Sequence, residues 1–194
     1  MNWPNILTIS RFVFAALILF LLLCNNLTSI IAATVFFLIA SITDFYDGYL
    51  AKKHGLISDF GKIMDPIADK VLMIIVFGAL AYLGMMDWWM IIAITVREVV
   101  VTVSRLRGMA RGQVLAAEQA GKIKTVFQMV SIGVTLLFLI CEQSAFARGW
   151  FYHAEPTWRA FIQLMMLISV LLTVSSGIAY FRNKWNSEKT SSIR

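Results

Sequence analysis

A long stretch without a charged side chain, from Phe12 to Thr43, constrains this sequence more than any other feature. A helix that crosses a bilayer needs roughly 20 mainly apolar residues, so the stretch is long enough for two such helices. A polar break at Asn25 and Asn26 divides it, which predicts two helices joined by a tight turn. Because soluble domains rarely contain such runs, the chain is predicted to be an integral membrane protein.

Further charge-free segments bring the predicted number of membrane-spanning helices to six. With 59% hydrophobic and 14% charged residues, nearly the whole chain suits a bilayer. The predicted fold class is all-α, a bundle of six transmembrane helices. Residues 1–182 form one membrane domain, and the polar segment 183–194, which has no apolar period, is expected to be a disordered tail. The predicted spans cover residues 5–24, 29–51, 65–84, 87–107, 121–141 and 158–181.

Lysine and arginine collect in alternate loops, after spans two, four and six. By the positive-inside rule, these loops and both termini face the cytosol. The net charge of +6 is therefore mainly a consequence of topology, and it also suits anionic head groups and phosphates. It does not indicate a nucleic-acid-binding protein.

Four aspartates lie where a membrane should exclude them, at the end of span two and the start of span three. Residues three or four apart share one face of a helix, so Asp44 projects with Asp47, and Asp65 projects with Asp69. Two adjacent antiparallel helices could aim all four carboxylates inward. Pro66 suits the first turn of a helix, or a kink, and would place Asp65 at the start of span three.

Clustered carboxylates in an apolar setting need cations to remain ionised. An all-oxygen ligand set without His or Cys favours Mg²⁺ or Mn²⁺ over zinc, and two such ions can clamp a pyrophosphate during displacement. The simpler alternative is that the aspartates pair with Lys52, Lys62 and Lys70 at a wet membrane edge. Acids within membrane spans usually have a function, and two facing pairs favour the metal site.

This segment resembles the signature of the CDP-alcohol phosphotransferase family, D-x2-D-G-x2-A-R-x8-G-x3-D-x3-D. One position departs from it, because Lys52 stands where the family has arginine, which keeps the charge but loses the planar fork that binds phosphate. The family core is six transmembrane helices, in agreement with the spans above. The matching residues are Asp44, Asp47, Gly48, Ala51, Gly61, Asp65 and Asp69.

The resemblance implies roles for these positions. The four aspartates would bind two divalent ions, Mg²⁺ or Mn²⁺, and Asp69 would also be the catalytic general base. Gly48, Lys52 and Ser58 would hold the CDP moiety of the lipid donor. The resemblance also implies a homodimer in the bacterial cytoplasmic membrane, with the active site facing the cytosol.

The start of the chain narrows the choice of acceptor alcohol. Residues 4–11 resemble the P-N-x-L-T-x-x-R opening of phosphatidylglycerophosphate synthases, which implies that Asn5 and Thr8 contact the CDP-lipid. Charged residues in and around spans four and five also resemble that subgroup. An acceptor that carries a phosphate dianion needs fixed cations, and the candidates are Arg97, Arg105, Lys122 and Lys124.

These cations also have simpler interpretations. Arg97 could pair with Glu98 or Asp87, and Lys122 and Lys124 could mark a cytosolic boundary. A charge inside an apolar run, as at Arg97, nevertheless favours a functional role.

The sequence therefore predicts an enzyme that transfers a phosphatidyl group from CDP-diacylglycerol to glycerol 3-phosphate and releases CMP. A related enzyme that uses phosphatidylglycerol, serine or inositol phosphate as acceptor is the nearest alternative. From other classes, a small cation transporter would use the aspartates as an ion site, and a scaffolding protein would leave them uncompensated. Membrane lipid is a further expected partner, and nucleic acid is not.

Overall fold

The structure is a computed structural model. It describes residues 3–54, 59–110, 119–144 and 148–191, with side chains over 10–43, 67–68, 70–108, 121–144 and 154–186. Within these ranges every regular element is a helix, so the all-α fold class is confirmed. The helices are α1 (Trp3–Cys24), α2 (Leu27–His54), α3 (Asp59–Tyr82), α4 (Trp88–Ala110), α5 (Gln119–Gln143) and α6 (Arg148–Ser191).

The polar break in the first apolar stretch is the predicted tight turn between α1 and α2. Asn25 adopts a left-handed conformation with φ 46°, which asparagine tolerates better than most residues. Asn26 caps α2, because its Oδ1 accepts from the Ser29 amide at 2.9 Å while its own amide donates to Ser29 Oγ at 3.2 Å. Gln143 of α5 donates to Asn25 Oδ1 at 2.7 Å and so attaches the turn to the bundle.

Helix α3 ends in a Schellman motif before the short connection to α4. The Met85 amide donates to the Leu80 carbonyl at 2.9 Å, and the Gly84 amide donates to the Ala81 carbonyl at 3.0 Å. Gly84 has φ +73°, a conformation that side chains with a Cβ rarely adopt. This glycine therefore ends α3 and turns the chain back into α4.

Helix α1 packs against α2 and α3, α4 packs against α3 and α6, and α5 packs against α2 and α6. Over the described residues α2 and α3 pack chiefly against α1. The direct pairing expected for the two aspartate helices is not a main contact there, because each of them packs against α1 instead. The largest fully buried side chains include Phe37, Phe77, Leu22, Ile94, Leu136 and Met166.

Buried hydroxyls and an amide join α5 to α6. Ser131 Oγ and Ser169 Oγ lie 3.2 Å apart, and Gln128 Nε2 donates to Thr173 Oγ1 at 3.0 Å. The hydroxyls also donate to carbonyls one turn earlier in their own helices, as Thr173 does to Ser169 at 2.6 Å. Small residues and interhelical hydrogen bonds of this kind are typical of helix packing in membranes.

The outward faces of the helices are apolar. Phe20 and Ile178 are each 65% exposed, and Ile92, Val126 and Leu171 are similarly open. Within the described residues, the segments Gly121–Gln143 and Ala154–Asn186 are long and apolar enough to cross a membrane, and shorter apolar segments occur in α1, α2 and α3. Large apolar surfaces on a monomer mark contact with lipid or protein rather than water.

Two helix boundaries differ from the sequence prediction. Helix α3 begins at Asp59, six residues before Asp65, so Pro66 lies inside the helix instead of in its first turn. Helix α6 covers 148–191, whereas a span over 158–181 and a disordered tail from 183 were expected. Residues 183–191 contain neither glycine nor proline, and Lys184 Nζ donates to Ser104 Oγ at 3.1 Å, so the helix continues against α4.

Candidate active site

A basic cavity of about 550 Å³ lies among α3, α4, α5 and α6, with one residue of α2 at its edge. Among the described residues its walls carry five cationic side chains and one carboxylate. This charge suits an anionic ligand, and the volume suits a small molecule. The polar lining residues are Ser41, Lys70, Arg97, Glu98, Thr102, Arg105, Lys122, Lys124, Thr125 and Tyr180.

Glu98 is the single described carboxylate of the cavity, and it is 4% exposed. Its Oε1 accepts hydrogen bonds from Lys124 Nζ and from Arg97 Nη1, the latter at 3.1 Å. Its Oε2 lies 3.5 Å from Lys70 Nζ. One buried carboxylate therefore joins cations from α3, α4 and α5. These four side chains together carry an excess of positive charge.

Arg97 is held from two sides. Its Nη1 donates to Glu98, and its Nη2 donates to Ser176 Oγ of α6 at 2.9 Å. A Cβ built on Gly177 would lie 3.0 Å from Arg97 Cγ and 3.1 Å from Nε, so the absence of a side chain there gives the arginine its space. The Arg97 Nε and the Tyr180 hydroxyl are buried without a hydrogen-bond partner among the described residues.

The four cations proposed from the sequence come together around this cavity. Lys124 is 2% exposed and pairs with Glu98, so its side chain lies inside the helix bundle. Arg97 does pair with Glu98, as the simpler interpretation held, yet it lines the cavity as well. Asp87 instead accepts from Trp89 Nε1 at 3.3 Å. Arg105 and Lys122 are exposed at the cavity and form no ion pair with any described residue.

The aspartate motif adjoins the cavity along the chain. Ser41, which lines it, lies three residues before Asp44 on α2, and Lys70 directly follows Asp69 on α3. Asp44 and Asp47 both lie within α2, and Asp65 and Asp69 both lie within α3, so their spacing gives each pair one face of a continuous helix.

The side chains of these aspartates and of Asn5, Thr8 and Lys52 lie outside the described residues. The surroundings of Gly48 are also outside them, and Ser58 falls wholly outside. Among the side chains that are described, no cluster of His, Cys, Asp or Glu could hold a metal ion. The aspartates remain the candidates, because two carboxylates per helix face supply the oxygen ligands that Mg²⁺ and Mn²⁺ prefer.

Sequence reasoning missed part of the cavity wall. Lys70 and Glu98 had a signal, since one adjoins the aspartate motif and the other is an acid in an apolar run. Ser176, Gly177 and Tyr180 had none, because small and aromatic residues are common in any membrane helix. They join the site through the packing of α6 against α4.

Residues 1–175 match the model of the family described as CDP-alcohol phosphatidyltransferase. A Bacillus subtilis protein named CDP-diacylglycerol–glycerol-3-phosphate 3-phosphatidyltransferase is 38% identical over 162 residues, covering 83% of this chain and 77% of the relative. A Rickettsia typhi protein of the same name is 32% identical over 182 residues, covering 93% and 96%. A Mycobacterium tuberculosis protein named "Probable phosphatidylglycerophosphate synthase" is 36% identical over 182 residues, covering 92% and 79%.

Proposed function

Because this chain belongs to the CDP-alcohol phosphatidyltransferase family, we propose that it transfers the phosphatidyl group of CDP-diacylglycerol to glycerol 3-phosphate, giving phosphatidylglycerophosphate and CMP. Family membership makes it a CDP-diacylglycerol-dependent transferase of phospholipid biosynthesis. The names of the relatives support the choice of acceptor.

The cavity beside the aspartate motif is the observation that carries this proposal. Five cationic side chains around one carboxylate suit an acceptor that already bears a phosphate dianion. A neutral alcohol would not require them. Lys124 is buried and Arg97 is partly buried, whereas Arg105 and Lys122 are exposed, so a phosphate could meet cations throughout its entry.

In the proposed reaction, Asp69 accepts the proton of the acceptor hydroxyl. The hydroxyl oxygen then forms a bond to the β-phosphorus of the CDP-lipid, the bond between that phosphorus and the CMP oxygen breaks, and CMP leaves. Lys52, Gly48 and Ser58 hold the CDP moiety, and Asn5 and Thr8 contact the same donor. Asp69 releases its proton to water before the next turnover.

Asp44, Asp47, Asp65 and Asp69 would hold two Mg²⁺ or Mn²⁺ ions. When bound, these ions would neutralise the pyrophosphate and the charge that develops on the leaving CMP. The carboxylate-only composition of the four positions and their spacing on α2 and α3 support this assignment.

The proposed setting is the bacterial cytoplasmic membrane, with six spans, both termini in the cytosol and the active site on the cytosolic side. Residues 1–182 would form the membrane domain, and the protein would act as a homodimer. The apolar outer faces of the helices and the two membrane-length segments support a membrane location.

The test is CMP release by the purified protein in detergent, with CDP-diacylglycerol and Mg²⁺ or Mn²⁺. Glycerol 3-phosphate, phosphatidylglycerol, serine, inositol phosphate and no acceptor are compared. Release with glycerol 3-phosphate alone is expected. Release with a different acceptor would keep the family chemistry and overturn the acceptor. Absence of release from folded protein with every acceptor would contradict the proposal and favour assays of cation flux.

Asp69→Asn tests the proposed base. The amide cannot accept the hydroxyl proton, so transfer should fall by roughly 10²-fold or more, the scale of general-base catalysis. Binding of CDP-diacylglycerol in the presence of Mg²⁺, measured by equilibrium dialysis, should persist in part because three carboxylates remain. Turnover that equals the wild type would remove Asp69 as the base.

A further inference from the structure

Glu98 is unexpected in a cavity that must attract an anion. Its carboxylate is buried among three cations and repels any phosphate that enters. Burying a carboxylate is also costly unless its partners compensate. A role in simple attraction of the acceptor is therefore excluded, and the contacts of Glu98 indicate a different one.

Those contacts divide the cationic wall into two sets. Lys70, Arg97 and Lys124 are in contact with Glu98, and the second edge of Arg97 is held by Ser176. Arg105 and Lys122 have no ion pair with described residues. The first set is fixed in place before any ligand arrives, and the second set meets solvent.

Cations that are fixed in place bind a phosphate dianion in one position. Flexible lysines would instead move toward the dianion and bind it in several different positions. Lysine has a long stem and a point charge, so its position depends on what holds it. Lys70 also adjoins Asp69, the base of the proposed reaction. A change in the Lys70 contact would therefore alter the cavity wall on the same turn of α3 as this residue.

We infer that Glu98 is a positioning residue for the acceptor: it holds Lys70, Arg97 and Lys124 in one arrangement and weakens the binding of simple anions such as inorganic phosphate. Glycerol 3-phosphate offsets this competition because its glycerol part extends into the cavity of about 550 Å³, which inorganic phosphate is too small to fill. The cavity thereby favours a phosphate carried on an alcohol over free phosphate. This inference rests on the proposed function.

Glu98→Gln and Glu98→Asp separate charge from position. The amide of Glu98→Gln keeps the shape and an acceptor oxygen but removes the negative charge. The inhibition constant of inorganic phosphate should therefore fall by about threefold or more. At the same time kcat with glycerol 3-phosphate should fall about tenfold, because the cations follow the phosphate into unproductive positions. Glu98→Asp keeps the charge and shortens the side chain, so kcat should fall while phosphate inhibition stays unchanged.

The measurements are CMP release with glycerol 3-phosphate and its inhibition by inorganic phosphate, together with a thermal shift of each variant on phosphate addition. Glu155→Gln, the same substitution in a different ion pair of α6, is the matched control and should leave both quantities unchanged. The thermal shift needs no turnover, so it reports anion binding whatever the acceptor.

The inference would be supported if Glu98→Gln bound inorganic phosphate more tightly and turned over glycerol 3-phosphate more slowly than the wild type. Equal losses of phosphate binding and turnover would overturn it, since Glu98 would then merely maintain the fold of the cavity. Turnover within twofold of the wild type would overturn it as well. If Glu98→Gln does not fold, a normal kcat in Glu98→Asp would be decisive against it. Wild-type protein that fails to use glycerol 3-phosphate would refute the proposed function instead.

Discussion

Two ionic clusters lie toward opposite ends of α5, and their charge balance is reversed. The Glu98 cluster comprises Glu98, Lys70, Arg97 and Lys124, so one acid serves three cations. The Arg159 cluster comprises Arg159, Glu142 and Glu155, so one cation serves two acids. Lys124 and Glu142 are 18 residues apart on α5, which corresponds to roughly 27 Å along a helix.

The surroundings of the two clusters differ as well. Arg159 Nε donates to Glu155 at 2.8 Å, Nη2 donates to Glu142, and the guanidinium lies 5.5 Å from the centre of the Phe138 ring. Two acids and an aromatic ring thus contact the arginine, and the cluster joins α6 to α5. The Glu98 cluster instead has surplus cations along an open cavity. Both regions contain ion pairs, so an ion pair by itself does not indicate a binding site. The excess of positive charge beside a cavity does.

The largest effect is expected when an arginine is replaced by alanine in each cluster in turn. Arg97→Ala removes the proposed charged contact with the acceptor phosphate. Such a contact is worth about 2–3 kcal/mol, which corresponds to roughly 30- to 150-fold in kcat/KM for glycerol 3-phosphate. The KM of the donor should change much less. Arg159→Ala, assayed for CMP release in parallel, is the control. Equal losses in the two variants would contradict the distinction between the clusters.

An effect of intermediate size on acceptor binding is expected from replacing Gly177, the glycine that leaves space for Arg97. Gly177→Ala would place a Cβ 3.0 Å from Arg97 Cγ, so the arginine must shift. A displacement of this kind should raise the KM of glycerol 3-phosphate by about tenfold. Gly133→Ala on α5 is the matched control, since nothing lies within 4 Å of the new Cβ. Acceptor kinetics that are unchanged in Gly177→Ala would show that Arg97 tolerates the shift.

The smallest effect on chemistry is expected at the Arg159 cluster. Its ion pairs are partly exposed, so Arg159→Ala should lower the free energy of unfolding by about 1 kcal/mol at most. The melting temperature in detergent should drop by about 2–4 °C, and CMP release per folded molecule should change less than twofold. A loss of turnover without a loss of stability would give this cluster a functional role.

Much of the helical architecture could be predicted from the sequence. The charge-free runs correspond to helices, and Asn25 and Asn26 form the predicted turn. Helix ends were less predictable, because an apolar run shows which part of a helix is hydrophobic and not where its backbone hydrogen bonding ends. Thus α3 begins six residues before Asp65, and α6 continues through the polar segment beyond 182.

The candidate site was predictable only where its residues are costly to bury. Arg97, Arg105, Lys122 and Lys124 stood out because charges are rare in membrane helices, and the structure gathers them around one cavity. Gly177, Ser176 and Tyr180 look like ordinary packing residues in the sequence. Their part in the site depends on α6 lying beside α4.

The sequence alone determined the class of the molecule and its family, because hydropathy and the spacing of four aspartates are local properties of the chain. Tertiary structure decided which helices meet and how the charges are shared. Glu98 comes within contact of cations from α3 and α5 only through packing, and Arg97 meets Ser176 across 79 positions of sequence. Electrostatic interaction falls with distance in space and not along the chain.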